Sequence, residues 1–582
     1  MFENHTNHAN KPVVDNVPSK TRPPNAMKTR KEPPPETSQS IWTRRLVISS
    51  FLVVAVFLGL PIWWRTTTIY RANLPLDKMN NWADGKVCRP EFPLRIRVEA
   101  PSLLHQEARN FVRSTQHALD DHNDFSTHHL RLLLARSSES DTSSDPLMGD
   151  SNTQGPSFAA ELNDQDVALT VKVLPGESGS SLCANLLAYS PTLEIHYGPS
   201  NVPSASSTSS SLATFVADEL RKVFAEEESM LAYLMSSTPA KPNSQSQALS
   251  SDLAASLAKR TTRSFKYAPT YHLTFSLFTP GAAPSAWEIE TALEEYVTPL
   301  LESLSSISNF TVDTQVQLYA TFSPSIHEPE YDAGWDAWTL RKEDLSGFIN
   351  AAEWPLSPSI GAGPTINFVL YVPSEAQTPL LIKENGGNSW LVPQWGGVYI
   401  LNPAGVNRRE PNSASVLTKD DIAPALLAFS NQLLSLLGLP QSPFSLPLRI
   451  STLARVRTAS LIFSASSTLG SLARLTLALK SISIPNTVAK AVDETIMHLK
   501  RACEDLREGR FHSALESARV AEAEAEKAFF EPSMVGQVYF PDEHKVAVYL
   551  PLLGPVAVPL VMAALKELRK LRKLRQPKTK VA

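Results

Sequence analysis

Two stretches of the chain carry no charge and few polar side chains. The first, residues 46–64 (LVISSFLVVAVFLGLPIWW), is 19 residues long. As a helix rising about 1.5 Å per residue it nearly matches the ~30 Å hydrocarbon layer of a bilayer. Arg44 and Arg45 precede it, and Trp63, Trp64 and Arg65 close it as an interfacial belt. It runs too long, starts too late and lacks the small-x-small exit of a cleaved secretory signal, so a retained transmembrane helix is expected. The second stretch, residues 546–565 (VAVYLPLLGPVAVPLVMAAL), has 20 residues and is the other expected transmembrane helix. Pro551, Pro555 and Pro559 lie in it at i, i+4 and i+8, nearly one stripe, with Gly554 alongside. In water three interior prolines argue against a helix, whereas in lipid neighbouring helices re-satisfy the freed carbonyls. The stripe is therefore expected to be a packing face for partner helices.

Between these stretches the periodicity changes from 2 to 3.6 and back. Residues 92–99 (FPLRIRVE), 167–174 and 192–197 alternate as strands do, and helical spacing appears over 103–121 and 212–235. Strand patterns return at 271–278, 311–322, 366–372 and 397–401, with a helix near 286–304. Interleaved strands and helices predict an α/β domain. From about residue 418 the pattern is helical to the second apolar stretch. One helix starts at Asn486, a good N-cap, and ends before Gly509 in the C′ position; another covers 511–530 with Pro532 just beyond. Ser-rich runs at 137–157, 202–211 and 236–252 read as loops.

Charge adds a direction to this pattern. The 582 residues hold 54 Lys+Arg and 58 Asp+Glu, a formal net charge of −4. By position, residues 1–45 carry +4, residues 65–545 carry −15 and residues 566–582 carry +7. Basic segments stay on the cytosolic side of a membrane. The expected plan is a basic cytosolic tail (1–45), transmembrane helix 1 (46–64), a luminal α/β domain (65–545, helical from about 418), transmembrane helix 2 (546–565) and a second basic cytosolic tail (566–582). Lys578 and Lys580 have the K-x-K-x-x spacing of a dilysine endoplasmic-reticulum retrieval signal. The basic tails flank membrane spans, so nothing favours nucleic acid.

Other luminal marks are few. Asn309-Phe310-Thr311 is the one N-x-S/T sequon of the expected luminal part, placed between a helical and a strand-like stretch, so Asn309 is expected to be exposed and glycosylated. Of the three cysteines, Cys88 and Cys183 are the more plausible disulfide, since Cys503 falls on an apolar helical face. Five of the ten tryptophans (Trp335, Trp338, Trp354, Trp390 and Trp395) lie within 61 residues, suited to glycan or partner contact but more readily to core packing.

A search for chemistry returns little. No P-loop, G-x-S-x-G, H-E-x-x-H or C-x-x-C pair occurs, and Gly361-Ala362-Gly363 reads as a turn. The densest polar cluster is His117, Asp120, Asp121, His122, Asp124, His128 and His129; His117 and Asp121 share a helical face at a ligand-compatible spacing, though a solvated helix end explains them as well. Cys183 and Cys503 lack a local nucleophile signature. Asp542, Glu543 and His544 stand beside the second apolar stretch as an interfacial marker.

An ordered set of segments nevertheless resembles the PIG-S family. These are residues 59–75 (GLPIWWRTTTIYRANLP), 271–275 (YHLTF), 394–397 (QWGG), 528–533 (AFFEPS) and 539–545 (YFPDEHK) running into 549–552 (YLPL). They span nearly the whole chain from about residue 41. The resemblance implies a non-catalytic subunit of the glycosylphosphatidylinositol (GPI) transamidase in the endoplasmic-reticulum membrane, which attaches GPI anchors to precursor C-termini. It further implies PIG-K-type, PIG-T-type, GPAA-type and PIG-U-type partners, the cysteine nucleophile residing in the PIG-K-type subunit. GPI lipid and precursor would be met indirectly, and no catalytic, cofactor or metal residue is carried over. The alternative is a membrane-anchored luminal hydrolase or transferase using the His117–His129 cluster or a cysteine.

Overall fold

The structure, a computed structural model, describes residues 36–67, 70–121, 127–135, 167–176, 181–198, 201, 210–236, 250–320, 327–349, 363–402, 416–479, 482–535 and 542–575. The chain divides into two bodies, residues 1–69 with 540–582, and residues 70–539. In the first body α1 (Ser38–Val53) continues through a π-helical turn (Val54–Gly59) into α2 (Leu60–Thr67). Ser38–Gly59 has a mean hydropathy of 1.8 in its most apolar window, and none of that window is buried.

The second body opens with α3 (Leu76–Ala83). Then come β1 (Phe92–Glu99), α4 (His105–Asp121), β2 (His128–Leu134), β3 (Val167–Pro175), β4 (Cys183–Leu186), β5 (Thr192–Tyr197) and α5 (Ser211–Ser236). The strands form one sheet in the order β2-β1-β3-β5-β4, parallel throughout except for the edge strand β4. Alternation dictates the faces of this sheet: Leu94, Ile96 and Val98 are buried on one side of β1, and Arg95, Arg97 and Glu99 stand half-buried on the other. Leu169, Val171, Leu193 and Ile195 extend the buried side against Phe111 of α4 and Leu220 and Phe224 of α5.

After α6 (Ser251–Arg263) a second series follows: β6 (Thr270–Phe278), β7 (Ala286–Trp287), α7 (Ile289–Tyr296), α8 (Thr298–Leu304), β8 (Asn309–Gln317), β9 (Glu330–Asp332), β10 (Ala337–Leu340), β11 (Thr365–Tyr371), β12 (Leu380–Ile382), β13 (Ser389–Val392), β14 (Gly396–Ile400), β15 (Val416–Leu417) and α9 (Lys419–Leu436). The main sheet here runs β13-β14-β11-β6-β8, with only β13 antiparallel to its neighbour. Taken in chain order within each sheet, both read second, first, third, fifth, fourth, and the fourth strand is the reversed one. In both, helix follows the first strand and a long helix follows the fifth. The body thus contains the same sheet topology twice.

The copies differ in what covers them. β6 and β11 are buried along almost their whole length, the continuous apolar run of a parallel sheet covered on both faces. Leu273, Phe275, Leu277 and Phe368 meet Phe429 of α9 on one face. Val369, Tyr371, Val398 and Ile400 meet Leu340, Leu380 and Ile382 on the other. Those last three come from the small inserted sheet β12-β10-β9.

The rest is helical: α10 (Leu446–Ala478), α11 (Asn486–Arg507), α12 (Phe511–Phe529), α13 (Pro532–Val535) and, back in the first body, α14 (Asp542–Arg575). α10 is also long and apolar enough to cross a bilayer, but half of it is buried. Its Leu448 joins the first sheet's core, Ile450 and Leu453 the second's, and residues such as Ala459, Leu469 and Ala473 a third core with α3, α11 and α12. That wrap-around burial explains a helix apolar on every side. The expected second apolar stretch, 546–565, lies inside α14, where Pro551, Pro555 and Pro559 are all exposed and the helix runs through them unbroken. One expectation needs correcting: Asn486 does not cap α11. Pro485 holds the N-cap position, and the Asn486 carboxamide oxygen accepts from the Tyr70 hydroxyl at 2.7 Å. At the other end Gly509 has φ +77°, with Gly509 N–H donating to Leu506 and Arg510 N–H to Asp505, a Schellman turn.

Candidate functional site

The polar cluster of the sequence does not converge. His117, Asp120 and Asp121 are exposed on α4, whereas His128 is buried on β2 facing α5; His122 and Asp124 lie outside the described residues. Among the described residues no group of three His, Cys, Asp or Glu side chains could hold a metal ion. Cys183 is an exposed free thiol on the edge strand β4, in register with His196 of β5, and no hydrogen bond joins the two. A thiol nucleophile needs a bonded base and a third group to orient it.

The expected Cys88–Cys183 pairing is incorrect. Cys88 is bonded to Cys503, 415 residues away, with the Cα atoms 6.2 Å apart. The apolar helical face that argued against Cys503 is the reason for the pairing, since a cystine packs as an apolar group among Met79, Phe92, Leu499 and Leu506. The bridge ties the segment leading into β1 to α11.

The most strongly constructed polar feature lies between α5, α10 and β2. Glu227 and Arg455 are each 2% exposed. Arg455 donates through Nε and Nη2 to the two Glu227 oxygens, both at 2.6 Å, and the Thr452 hydroxyl donates to Oε2 at 2.6 Å. His128 Nε2 lies 3.6 Å from Oε1. The Arg455 guanidinium also sits over the Phe511 ring of α12, 5.4 Å from its centroid. Burial by itself raises the Glu227 carboxyl, but the charge and hydrogen bonds of Arg455 outweigh it and hold the group well below the usual carboxylate range. The cluster brings α5, α10, β2 and α12 together at one dry point, and the cost of taking both charges out of water offsets much of their attraction. Beside it Glu226 binds Arg260 of α6 and accepts from the backbone N–H of Gln441 and Ser442, joining α5 and α6 to the turn before α10.

In the first body the basic ends of α1 and α14 meet. Arg44 and Arg45 both donate to Glu567, at 2.9 and 3.0 Å, and Glu36 pairs with Arg44 and Lys570. Hydrogen bonds from Arg45 and then Arg44 lower the Glu567 carboxyl against its partial desolvation. The disulfide and these ion pairs each join separate elements of the fold.

A family model described as "Phosphatidylinositol-glycan biosynthesis class S protein" matches residues 50–574. The chain belongs to the PIG-S family. Among curated proteins it is similar to the "GPI-anchor transamidase component PIGS" of Rattus norvegicus, 28% identical over 572 residues, covering 89% of this chain and 93% of that one. The Homo sapiens protein of the same name is 28% identical over 545 residues with the same coverage. The "GPI transamidase component GPI17" of Saccharomyces cerevisiae is 26% identical over 539 residues, covering 88% of this chain and 90% of its own.

Two of the PIG-S segments singled out in the sequence lie in the second sheet. Tyr271-His272-Leu273-Thr274-Phe275 is the buried β6, with Tyr271 stacked on Phe310. Gln394-Trp395-Gly396-Gly397 is the β13–β14 turn: Gln394 adopts φ 55°, and a Cβ on Gly396 would fall 1.8 Å from the Asn367 carbonyl oxygen. Any side chain at Gly396 would push β14 off β11. Trp338, Trp390 and Trp395 pack against the core between the second sheet and its insert, so they are packing residues; Trp335 is more exposed and Trp354 lies outside the described residues. Asn309 is exposed at the start of β8. Lys578 and Lys580 lie outside the described residues.

Proposed function

We propose that this chain is a non-catalytic subunit of a GPI transamidase, the complex that attaches preassembled GPI anchors to the C-termini of precursor proteins in the endoplasmic reticulum. The observation that carries the reading is the PIG-S match over residues 50–574, whose named relatives are transamidase components.

In this reading two helices anchor the chain. The apolar surface of Ser38–Gly59, none of it buried in its most apolar window, and Leu553, Val556, Val558 and Val561 exposed on α14, suit a lipid solvent. Glu567 bridging Arg44 and Arg45 supports placing both basic ends on the cytosolic side, with the second body luminal, Asn309 glycosylated and Lys578 and Lys580 acting in retrieval. The partners are the PIG-K-type, PIG-T-type, GPAA-type and PIG-U-type subunits, and the Pro551/Pro555/Pro559 stripe faces their helices. Co-purification in mild detergent tests the reading: the protease-like subunit is expected with the chain, and recovery of the chain alone contradicts it. Pro555→Leu is expected to lower recovery of partners several-fold while membrane insertion stays as in the unmodified chain.

A further inference from the structure

The second sheet ends on β8, and among the described residues nothing pairs with its outer side. Its register with β6 is unbroken over nine residues, from Thr270↔Asn309 to Phe278↔Gln317. Asn309 N–H donates to Pro269, and Gln317 accepts from Thr279 N–H. In a parallel ladder the residues bonded to one neighbour alternate, so 309, 311, 313, 315 and 317 face β6 and Phe310, Val312, Thr314 and Val316 turn their N–H and C=O groups outward.

Long edges of this kind are normally blunted by Lys, Pro or a bulge. The strand NFTVDTQVQ has none of these, and Asp313 is its sole charge. The counterpart edge in the first sheet, β2, is shorter and carries Arg131. The side chains of β8 also form two rows. Phe310, Val312 and Val316 lie in register with Tyr271, Leu273 and Leu277, on the face of the apolar core. Val312 and Val316 are each 39% exposed, so that apolar row reaches the open edge. Asn309, Thr311, Asp313, Gln315 and Gln317 make the other row polar.

We propose that the outer edge of β8 receives an extended strand of another subunit of the complex, one that alternates apolar and polar residues. Its backbone completes the ladder at Phe310, Val312, Thr314 and Val316, and its apolar side chains cover Val312 and Val316. The proposal rests on the subunit reading above and names a surface for it.

Val312→Pro with Thr314→Pro removes two outward N–H groups while leaving the bonds to β6 in place, and proline suits an edge strand. In the full-length chain purified from cells in mild detergent, this variant is expected to recover at least one partner subunit ten-fold less than the unmodified chain, with an unchanged thermal midpoint. Equal recovery overturns the proposal but leaves the subunit reading standing. Hydrogen–deuterium exchange on the unmodified protein decides without a variant. Amides in 309–317 should exchange more slowly in the complex than in the isolated chain, and equal rates overturn the proposal. Slowing that grows with the concentration of the isolated chain points to a second copy instead, and also overturns it. If the unmodified chain recovers no partner, the subunit reading falls and the proposal with it.

Discussion

The two sheets of the large body share a strand order and a reversed fourth strand, yet each reaches stability differently. The second is buried on both faces, with Phe275, Phe368, Tyr399 and Phe429 forming an aromatic cluster beneath α9. The first buries one face, keeps Arg95, Arg97 and Glu99 on the other, and joins its long helix α5 to α10 through Glu227 and Arg455. Their lead-in segments differ as well: Cys88 before β1 is held by a disulfide, whereas before β6 Phe265 is held by Arg457, which donates to its carbonyl at 3.0 Å and to that of Leu437 at 2.8 Å. One topology therefore tolerates an apolar solution and a polar one. The first half adds a buried ion pair to its apolar core, and that pair is where it is expected to break most easily.

Glu227→Ala should break the first half hardest. It leaves Arg455 charged and dry, and a cost of about 3–5 kcal/mol in unfolding free energy is expected by chemical denaturation. Because the Glu227 carboxyl lies below its unfolded value, its contribution is complete above the unfolded carboxylate pKa and is lost as the pH falls below it toward the folded one. Glu227→Gln should therefore flatten the acid side of the stability profile and leave the alkaline side unaltered; an unchanged acid side would refute the assignment.

Cys503→Ala should cost about 2–5 kcal/mol, read as a lower thermal midpoint, while Cys183→Ala leaves the midpoint in place. Equal effects of the two would contradict the bridge. A smaller contrast lies in the second faces of the sheets. Val369→Ala, in the doubly covered β11, is expected to cost about 2 kcal/mol. Thr170→Ala, on the half-buried face of β3, should stay within about 0.5 kcal/mol. If both cost the same, the first sheet's second face is covered too.

Much of this fold was readable in the chain. Residues 92–99 and 192–197 coincide with β1 and β5, and the helical turn-over near 418 with α9 at Lys419, because alternation and helical spacing are local signals. β2 is not legible locally: HHLRLLL does not alternate and its two histidines read as part of a polar cluster, whereas parallel pairing with β1 is what makes it a strand. The short strands β9, β10, β12 and β13 were lost among turn residues, so the doubling of the topology, which needs the reversed fourth strand, could not be seen. For the disulfide, an apolar helical face makes Cys503 the less plausible partner in the sequence, yet that face is where the cystine is buried. The tryptophan grouping did foretell a core, at Trp338, Trp390 and Trp395, but not that the core lies on the far face of the second sheet.

The most direct measurement is GPI attachment in cells depleted of this chain and supplied with a His117→Ala, Cys183→Ala variant. A joining subunit with no active centre of its own predicts attachment restored to the level given by the unmodified chain. Attachment abolished while the complex still assembles would contradict it, and would return the active centre to this chain.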